Sequence, residues 1–423
     1  MLVKCEFTSG ESVKCKSLQR KSLALDNATQ TEPINGMETG SNPEQQPSMA
    51  KGAPPEIFLM INSLETGGSE RQFAALTQSF DRSSFSLHLG CIMAKGAFLE
   101  NLGPVAPFRL GGSLYSVQSF RSRIRLARHL RHHDIAIAHS FDFYTNLVLI
   151  PVARLAGVPV VMGSQRQIGD LLTPRQSQAQ TLVFRWCDKV VCNSQAAADR
   201  LREQGVAADK LVVIRNGLPP SAFADTSPAL PPVRGLLRVG MIARMNHRVK
   251  NHQGFLGAAA RVATRFSAVE FVLVGDGPFR TEIEREAQSL GLVHQVRFLG
   301  DRRDVPAVLA SLDVTVLPSS SESLSNSIIE SMAAGVPVVA NRVGGNTELI
   351  SNDRGALVTA GDEAELAAAM ELLLLDEGLR KRLGRNARAY AQANFTIEQM
   401  RRSHEELYHD LLERKGWRGK ARR

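Results

Sequence analysis

The chain has 423 residues, of which 43% are hydrophobic and 22% are charged, and its formal net charge is +9 at pH 7. This apolar fraction is sufficient for large cores, and the length predicts two or three domains. The five cysteines form no CxxC pair, which argues against a disulfide framework and predicts reduced thiols in a cytosolic protein. The longest apolar tract, 146–163, is broken by Pro151, Arg154 and Pro159, so we expect no membrane-spanning helix there.

The first 53 residues differ in composition from the rest of the chain. They are rich in Ser, Thr, Glu, Gln, Asn and Lys, and they show no sustained hydrophobic period. We therefore predict a disordered leader over 1–53, without the apolar core of a signal peptide. Met49 precedes the first ordered stretch, so the leader is either a genuine tail or the product of a start codon assigned too far upstream.

From Ile57 onward, short apolar runs alternate with longer amphipathic ones, a pattern typical of α/β folds with parallel sheets. The predicted strands of the first half are 56–62, 85–93, 134–140, 159–165, 189–194 and 210–216. The predicted helices between them are 69–80, 117–133, 144–157 and 194–205. A stretch rich in proline and small residues, 216–235, then interrupts the pattern and is predicted to be a domain linker.

A second α/β series follows the linker. Its predicted strands are 236–243, 269–277, 295–301, 313–318, 336–342 and 355–359, and its predicted helices are 251–266, 279–291, 305–312, 326–335 and 363–376. We therefore predict two doubly wound, Rossmann-like domains that face a central ligand cleft. The expected boundaries are 54–218 and 219–397, followed by a helix over 398–414 that packs back on the first domain and a basic tail over 415–423.

Two glutamates mark one strand, loop, helix, strand unit of the second domain. Glu322 lies in a serine-rich loop, and Glu330 lies on the polar face of the following helix. In open parallel sheets, ligands bind beyond the carboxyl ends of the strands, where a carboxylate can accept hydrogen bonds from sugar hydroxyls. The alternative for each glutamate taken singly is a solvated surface side chain.

Several other residues are predicted to point into the same cleft. Gly67 and Gly68 follow the first strand and allow close approach of backbone to a ligand at a helix start. Arg244 and Lys250 follow the first strand of the second domain, where they can neutralise a diphosphate. His139 ends a strand and is expected to face the crevice. Each candidate also has an ordinary structural interpretation. The two glycines can form a simple turn, the Arg and Lys can be solvated surface cations, and the His can be structural.

Motifs for dinucleotide binding, P-loop nucleotide binding and metal binding have less support in the sequence. The segment VGDGPFR matches a dinucleotide fingerprint only partly, because Arg280 stands at the third glycine position. The chain has no GxxxxGK[ST] motif, which excludes a P-loop NTPase. No Asp-x-Asp pair or His/Cys cluster is evident in the sequence, so we predict no metal site.

The order GGSER, ARMNHRVK, VGDGP, FLGDRRDVPAVLASLDVTVLPS and ESLSNSIIESMAAGVPVVA resembles glycosyltransferase family 4, and the resemblance covers about 57–412. It implies a GT-B fold and retaining transfer of a sugar from a nucleotide-sugar donor, a UDP-sugar or GDP-sugar, with no cofactor and no metal required. It also implies that Glu330 holds the ribose hydroxyls and Glu322 meets the donor sugar. Two other functions stay open, a noncatalytic nucleotide-sugar or membrane-binding protein and a GT-B nucleotide-sugar epimerase.

The same resemblance implies roles for the remaining candidates. Arg244 and Lys250 match the pair that binds the diphosphate, and His139 matches a histidine that touches the sugar. The backbone amides of Leu324, Ser325 and Asn326 would cradle sugar and phosphate, Gly67 and Gly68 match the loop on the phosphate side, and Gly300 matches loosely a residue beside the base pocket. Leu324 and Ser325 stand where many relatives carry Phe or Leu followed by Gly or Pro, which leaves the donor sugar open.

A basic segment, 116–134, concentrates the positive charge. One predicted helical stripe contains Phe120, Ile124, Ala127 and Leu130, and another contains Arg121, Arg125, Arg128 and His132. A core-packed helix with a solvated basic face and a helix on an anionic membrane surface both fit this pattern. We expect a cytoplasmic enzyme at the inner membrane face that uses a lipid-linked or glycan acceptor, and no binding of nucleic acid.

Overall fold

The computed structural model describes residues 53–111, 114–169, 172–351 and 353–417. The predicted leader up to residue 52 and the predicted tail beyond residue 417 lie outside the described residues. The described chain contains two parallel sheets, of seven and six strands, with helices on both faces. The predicted pair of doubly wound, Rossmann-like units is therefore confirmed.

The first sheet has the strand order β3-β2-β1-β4-β5-β6-β7. Its central strands are almost entirely buried because helices cover both faces of the sheet. The strands are β1 Glu56–Ile61, β2 Ser86–Cys91, β3 Val105–Pro107, β4 Ile137–Ser140, β5 Val160–Gln165, β6 Lys189–Cys192 and β7 Leu211–Val213. The helices of this half are α1 Gly68–Ser79, α2 Val117–His132, α3 Phe143–Ala156, α4 Pro174–Phe184 and α5 Gln195–Glu203.

The second sheet has the order β10-β9-β8-β11-β12-β13. Its strands are β8 Leu237–Ile242, β9 Val269–Val274, β10 Val296–Gly300, β11 Val314–Leu317, β12 Val338–Asn341 and β13 Gly355–Val358. The helices that follow β8 are α6 His252–Ala263, α7 Arg280–Ser289, α8 Val305–Leu309, α9 Asn326–Ala333, α10 Asn346–Leu349, α11 Glu363–Leu375, α12 Glu377–Asn394 and α13 Ile397–Arg414. In each sheet the strand order reverses once, between β1 and β4 and between β8 and β11.

The chain returns to the first sheet through α13. Met400, Tyr408, Leu411 and Leu412 of this helix lie in the same buried cluster as residues of β1 and α1. The return segment runs beside the outgoing one, because the Leu218 amide donates to the Phe395 carbonyl at 2.8 Å and the Ile397 amide donates to the Leu218 carbonyl at 2.8 Å. A side chain at Gly217 would lie 2.7 Å from the Ile397 backbone, so this crossing requires glycine.

Of the apolar stripe predicted for the basic helix α2, Leu130 alone is buried, which goes against the core-packed alternative for this stripe. The side chains that it buries are Ser119, Ser122, Leu126 and Leu130, whereas Phe120 is 64% exposed and Ile124 is 38% exposed. On the core side of the helix, Ser122 donates a hydrogen bond to the Arg109 carbonyl at 2.5 Å. Apolar and basic side chains therefore share the exposed face.

Among the helices of the described ranges, none combines the length and the apolar character that a bilayer crossing requires. The cysteines in these ranges, Cys91, Cys187 and Cys192, are buried and unpaired. Burial raises the pKa of the Cys91 thiol to about 11 and the pKa values of the Cys187 and Cys192 thiols to about 12.

Candidate active site

The predicted site residues follow the strands at which each sheet reverses its order. Gly67 ends the loop after β1 and Gly68 begins α1, the loop after β8 contains Arg244 and Lys250, and the loop after β11 contains Glu322. The carboxyl ends of strands at such switch points form the ligand crevice of doubly wound sheets. Contacts between the two halves of the chain converge at this place.

Glu330 lies on α9, whose N-cap is Ser325, and its side chain is only 11% exposed. Its Oε1 accepts a hydrogen bond from Nη1 of Arg71 on α1, so the ion pair joins the two halves of the chain. Burial raises the pKa of Glu330, and the charge and hydrogen bond of Arg71 oppose that rise. The hydrogen bond from Arg71 therefore engages Oε1 of this carboxylate.

Glu322 lies beside a predicted cation of its own domain. Nζ of Lys250 donates to Oε1 of Glu322 at 2.5 Å, and the two side chains are 30% and 9% exposed. The loop that contains Glu322 is held by the segment after β12, because the Gly345 amide donates to the Glu322 carbonyl at 3.1 Å. A side chain at Gly344, where φ is +43°, would lie 2.0 Å from that carbonyl oxygen. Close backbone packing therefore positions this carboxylate.

Asn326 connects the loop after β1 to the start of α9. Its Nδ2 donates to the Gly68 carbonyl at 3.3 Å, and its Oδ1 accepts from Nδ2 of Asn216 at 2.7 Å and from Nε2 of Gln72 at 3.4 Å. A side chain at Gly68 would approach Asn326 Nδ2 to 3.0 Å. The two predicted backbone elements, Gly68 and the Asn326 helix start, are therefore in contact in the structure.

Arg244 borders a cavity of about 290 Å³ between the loops of the two sheets. Its Nη1 donates to the Thr66 carbonyl of the first half. The cavity is also lined by the carboxylate-bearing residues Glu65, Asp276 and Asp301. Gly300, the end of β10, immediately precedes Asp301 and has φ +65°, in the left-handed region that favours glycine.

His139 does not face the cleft, so the predicted orientation is wrong. Its side chain is fully buried, with Nδ1 at 2.8 Å from the Tyr408 hydroxyl and Nε2 at 2.8 Å from the Ser164 hydroxyl. Burial, together with the nearby His404 and Arg166, lowers its pKa well below the ordinary value. His139 is buried because it lies within β4, whose two faces are both covered by helices. Its side chain points toward one of these faces, under α13, and not beyond the end of the strand.

Arg166, which sequence reasoning missed, directly follows β5 at the carboxyl end of the sheet. Its Nη2 donates to Oδ1 of Asn216 at 2.5 Å, its guanidinium lies 5.8 Å from the centre of the Phe141 ring, and its buried Nε has no hydrogen-bond partner among the described residues. Burial lowers the pKa of Arg166 to about 10, against the opposing charge of Glu70. The available signal was its place immediately after a predicted strand.

A further contact holds the two halves together below the crevice. Glu348 on α10 accepts hydrogen bonds from the backbone amides of Gln195 and Ala196 at 3.0 and 2.8 Å, so it caps the start of α5. The Ser323 hydroxyl donates to Oδ1 of Asn193 at 2.6 Å. These contacts set the distance between the loop after β11 and the first sheet.

Two facing Rossmann-like sheets, with paired carboxylates and cations at the switch point of the second sheet, define the class of GT-B glycosyltransferases. The family model described as "Glycosyltransferase Family 4" matches residues 66–222, and the one described as "Glycosyl transferases group 1" matches residues 237–376. The chain is 36% identical over 340 residues to the N-acetyl-alpha-D-glucosaminyl L-malate synthase of Bacillus anthracis, covering 79% of this chain and 81% of that protein.

Two further relatives extend the comparison. The chain is 26% identical over 315 residues to the Escherichia coli UDP-Gal:alpha-D-GlcNAc-diphosphoundecaprenol alpha-1,3-galactosyltransferase, covering 70% of this chain and 81% of that enzyme. Its fold matches the crystal structure of Anabaena Alr3699/HepE in complex with UDP, with a TM-score of 0.73, 23% identity, and coverage of 84% of this chain and 100% of that one. The chain belongs to glycosyltransferase family 4 and is an enzyme of the hexosyltransferase type.

Proposed function

We propose that this enzyme transfers a sugar, with retention of anomeric configuration, from a UDP-sugar or GDP-sugar to a lipid-linked or glycan acceptor. The observation that carries the proposal is the arrangement of Glu330 and Glu322, two carboxylates that are almost buried at one switch point, with Lys250 and Arg244 beside them. The E. coli relative names a UDP-sugar donor and a diphosphoundecaprenol acceptor, and the Anabaena structure holds UDP.

The residue types fit this chemistry. Cleavage of the bond between sugar and phosphate builds negative charge on the departing diphosphate, and fixed cations that contact it lower the barrier electrostatically. Arg244 and Lys250 supply two such cations without a cofactor or a metal. His139 has no role at the sugar in this proposal, because its ring is buried under α13.

Each carboxylate has a separate role in the proposal. Oε2 of Glu330 accepts hydrogen bonds from the ribose hydroxyls, while Arg71 holds Oε1. Glu322 contacts the donor sugar and orients Lys250 toward the diphosphate. The amides of Leu324, Ser325 and Asn326, at the start of α9, bind sugar and phosphate, and Gly300 borders the base. Gly67 and Gly68 border the donor site on the side of its phosphates.

The acceptor hydroxyl would attack from the face that the diphosphate leaves, and the departing phosphate oxygen would accept the acceptor proton. We propose no covalent intermediate, because Glu330 is assigned to the ribose and is paired with Arg71, and Glu322 is paired with Lys250. The proposed acceptor-side domain is 54–218, and the proposed donor-side domain is 219–397. The proposed place of action is the cytoplasmic face of a membrane, approached through the exposed side of α2.

Arg166 favours a second candidate acceptor, a small anionic molecule. Its guanidinium is half-buried at the carboxyl end of the first sheet, on the side where the acceptor would enter, and its buried Nε is unpaired among the described residues. A partly buried cation with a free donor suits a carboxylate or phosphate ligand. The B. anthracis relative is named for a product that contains L-malate.

The experiment is a transfer assay with purified full-length protein, a panel of UDP-sugars and GDP-sugars, and two acceptor classes, undecaprenyl-diphosphate-linked sugars and small dicarboxylates. Product formation with an undecaprenyl-diphosphate-linked sugar supports the first candidate, and formation only with a dicarboxylate supports the second. Interconversion of the donor sugar without an acceptor would indicate an epimerase. Binding of a nucleotide sugar without turnover across the panel would indicate the noncatalytic alternative.

A further inference from the structure

Three histidines converge on the first sheet, far from the cleft loops. His88 lies on β2, and His129 and His133 lie at the end of α2. One ring nitrogen of each lies within 4.8 Å of one ring nitrogen of the other two. The ring centres of His88 and His133 are 4.5 Å apart, and those of His129 and His133 are 4.4 Å apart. Sequence spacing could not reveal this cluster, because β2 and α2 are separated along the chain.

A carboxylate orients one of these rings. Nε2 of His88 lies 2.7 Å from Oε2 of Glu56 on β1, which leaves Nδ1 as the nitrogen that can bind a metal. Histidines that bind metals usually donate their other ring N–H to a carboxylate or carbonyl, which fixes the tautomer and makes the ligand more basic. The pair of Glu56 and His88 has this arrangement.

A second ring has a buried nitrogen without a partner. Nε2 of His129 is inaccessible to solvent and makes no hydrogen bond among the described residues. Phe58 and Phe108 pack against this ring, with ring centres 5.4 and 5.8 Å away. Leaving a buried polar atom without a hydrogen-bond partner carries a free-energy cost. A metal ion bound at this nitrogen would remove that cost.

We propose that His88, His129 and His133 form a three-histidine site for Zn²⁺ that ties the end of α2 to β2 of the first sheet. Two nitrogens bound to one tetrahedral zinc lie about 3.4 Å apart, so small rotations of these rings bring them into range. Imidazole nitrogen is a preferred ligand of zinc and of Co²⁺, and a water molecule would complete the coordination. The site lies near the amino ends of β1 and β2, opposite the cleft, so its role is structural and independent of the proposed glycosyl transfer.

The test uses full-length protein freed of metal by dialysis against a chelator. Co²⁺ is titrated while visible d–d absorption is recorded, and Zn²⁺ is then added to displace it. We expect one equivalent of Co²⁺ to give the bands of a four- or five-coordinate ion, and Zn²⁺ to abolish them. Zn²⁺ in hundredfold excess over its Kd should raise Tm by roughly 3 °C or more.

The variants are His88→Gln, His133→Gln and Glu56→Gln, with His132→Gln as the matched control on the same helix. His88 and His133 are chosen because they are less enclosed than His129, and circular dichroism checks that each variant is folded. We expect either histidine variant to weaken Co²⁺ binding more than about 100-fold, and Glu56→Gln to weaken it about 10-fold to 100-fold. Wild-type affinity in His132→Gln completes the expected pattern.

Two results would overturn the proposal. One is the absence of d–d bands at one equivalent of Co²⁺ in the wild-type protein. The other is equal Co²⁺ affinity in wild type, His88→Gln and His133→Gln, which would place the bound ion elsewhere. Donor turnover measured beside these titrations should not depend on Zn²⁺, since the residues lie outside the proposed active site.

Discussion

Arg71 on α1 and Glu330 on α9 form an ion pair that joins the two halves of the chain across the cleft. The carboxylate is almost fully buried, whereas the guanidinium is 40% exposed. The glutamate proposed to bind ribose is therefore held by the opposite domain through one oxygen. Domain closure and nucleotide binding share this side chain, so a change to Arg71 should alter both.

Arg71→Gln should lower the free energy of unfolding by about 1–2 kcal/mol at pH 7.5. Removing one partner from a fully buried pair costs about 3–5 kcal/mol, and the partial exposure of Arg71 reduces that figure. The loss of unfolding free energy should be smaller at pH 5. Without Arg71 the pKa of Glu330 rises further, so at this pH the carboxyl can take up a proton and no unpaired buried charge remains. Urea unfolding at the two pH values measures this effect.

The matched control for Arg71 is Arg248→Gln. Arg248 pairs with Glu282 on the surface, where the two side chains are 63% and 41% exposed. An exposed pair contributes about 0–1 kcal/mol, so this variant should be nearly neutral at both pH values. Equal losses in the two variants would show that the Arg71 pair has no special role.

Arg244→Ala should reduce sugar transfer by about 100-fold or more, the usual cost of losing one fixed donor that stabilises transition-state charge. Arg244 lies beside the cavity and contacts the Thr66 carbonyl through Nη1. Affinity for UDP or GDP should fall, while affinity for the corresponding nucleoside, which lacks phosphate, should stay unchanged. An equal loss of nucleoside affinity would mean that the variant disturbs the whole pocket.

Much of the fold could be predicted because strands such as β1 and β8 are continuous apolar runs bounded by polar turns. β3 was missed because it has only three residues and ends in Pro107. The places of Glu322, Glu330 and Lys250 after strands could be predicted because strand ends can be located from local sequence. Arg71 as the partner of Glu330, and the burial of His139 under α13, depend on contacts between distant segments, which hydrophobic periodicity does not encode.

Acid should destabilise the protein through buried histidines of the α13 interface. His404 is 1% exposed, its Nδ1 is 2.8 Å from the Met400 carbonyl, and burial lowers its pKa to about 4. The unfolded chain therefore binds this proton first, and stability falls as pH drops from about 6.5 toward 4. Between pH 7.5 and 5 this group alone accounts for about 2 kcal/mol.

His404→Met removes that titration and keeps a side chain of similar size. Since Nε2 of His404 has no hydrogen-bond partner among the described residues, an apolar replacement should be tolerated at pH 7.5. Urea unfolding midpoints at pH 7.5 and 5 should differ less in His404→Met than in the wild type. An identical acid loss in both proteins would show that other groups, including His139, control it.

The exposed side of α2 should bind anionic membranes. Val117, Phe120 and Ile124 are exposed beside Arg121 and other basic residues of the same helix. Apolar side chains enter the interface, and each basic residue near an anionic surface contributes about 1 kcal/mol. Co-sedimentation with anionic vesicles should therefore weaken with added salt.

Arg121→Glu with Arg128→Glu should reduce vesicle binding at least about 10-fold, since two attractive charges become repulsive. Arg285→Glu, at an exposed position on α7 of the second domain, is the matched control and should bind like wild type. Equal binding to neutral and anionic vesicles would contradict an electrostatic membrane surface.

Glu322→Gln and Glu330→Gln should separate the two proposed carboxylate roles. Glu322 contacts Lys250 within its own domain and is proposed to meet only the sugar. Its variant should leave the affinity for the free nucleoside diphosphate nearly unchanged while transfer from the nucleotide sugar falls. Circular dichroism confirms that both variants remain folded.

Calorimetric titration of UDP and GDP into wild type and Glu330→Gln is the most direct test of the proposed site. Glutamine keeps the size and polarity of the side chain but loses charge-assisted hydrogen bonds, each typically about 1.5–3 kcal/mol. Since 1.4 kcal/mol is a tenfold change in Kd, the nucleotide that binds wild type should bind the variant about 10-fold to 100-fold more weakly. Wild-type affinity in Glu330→Gln would show that this carboxylate serves only the ion pair with Arg71 and does not bind the nucleotide.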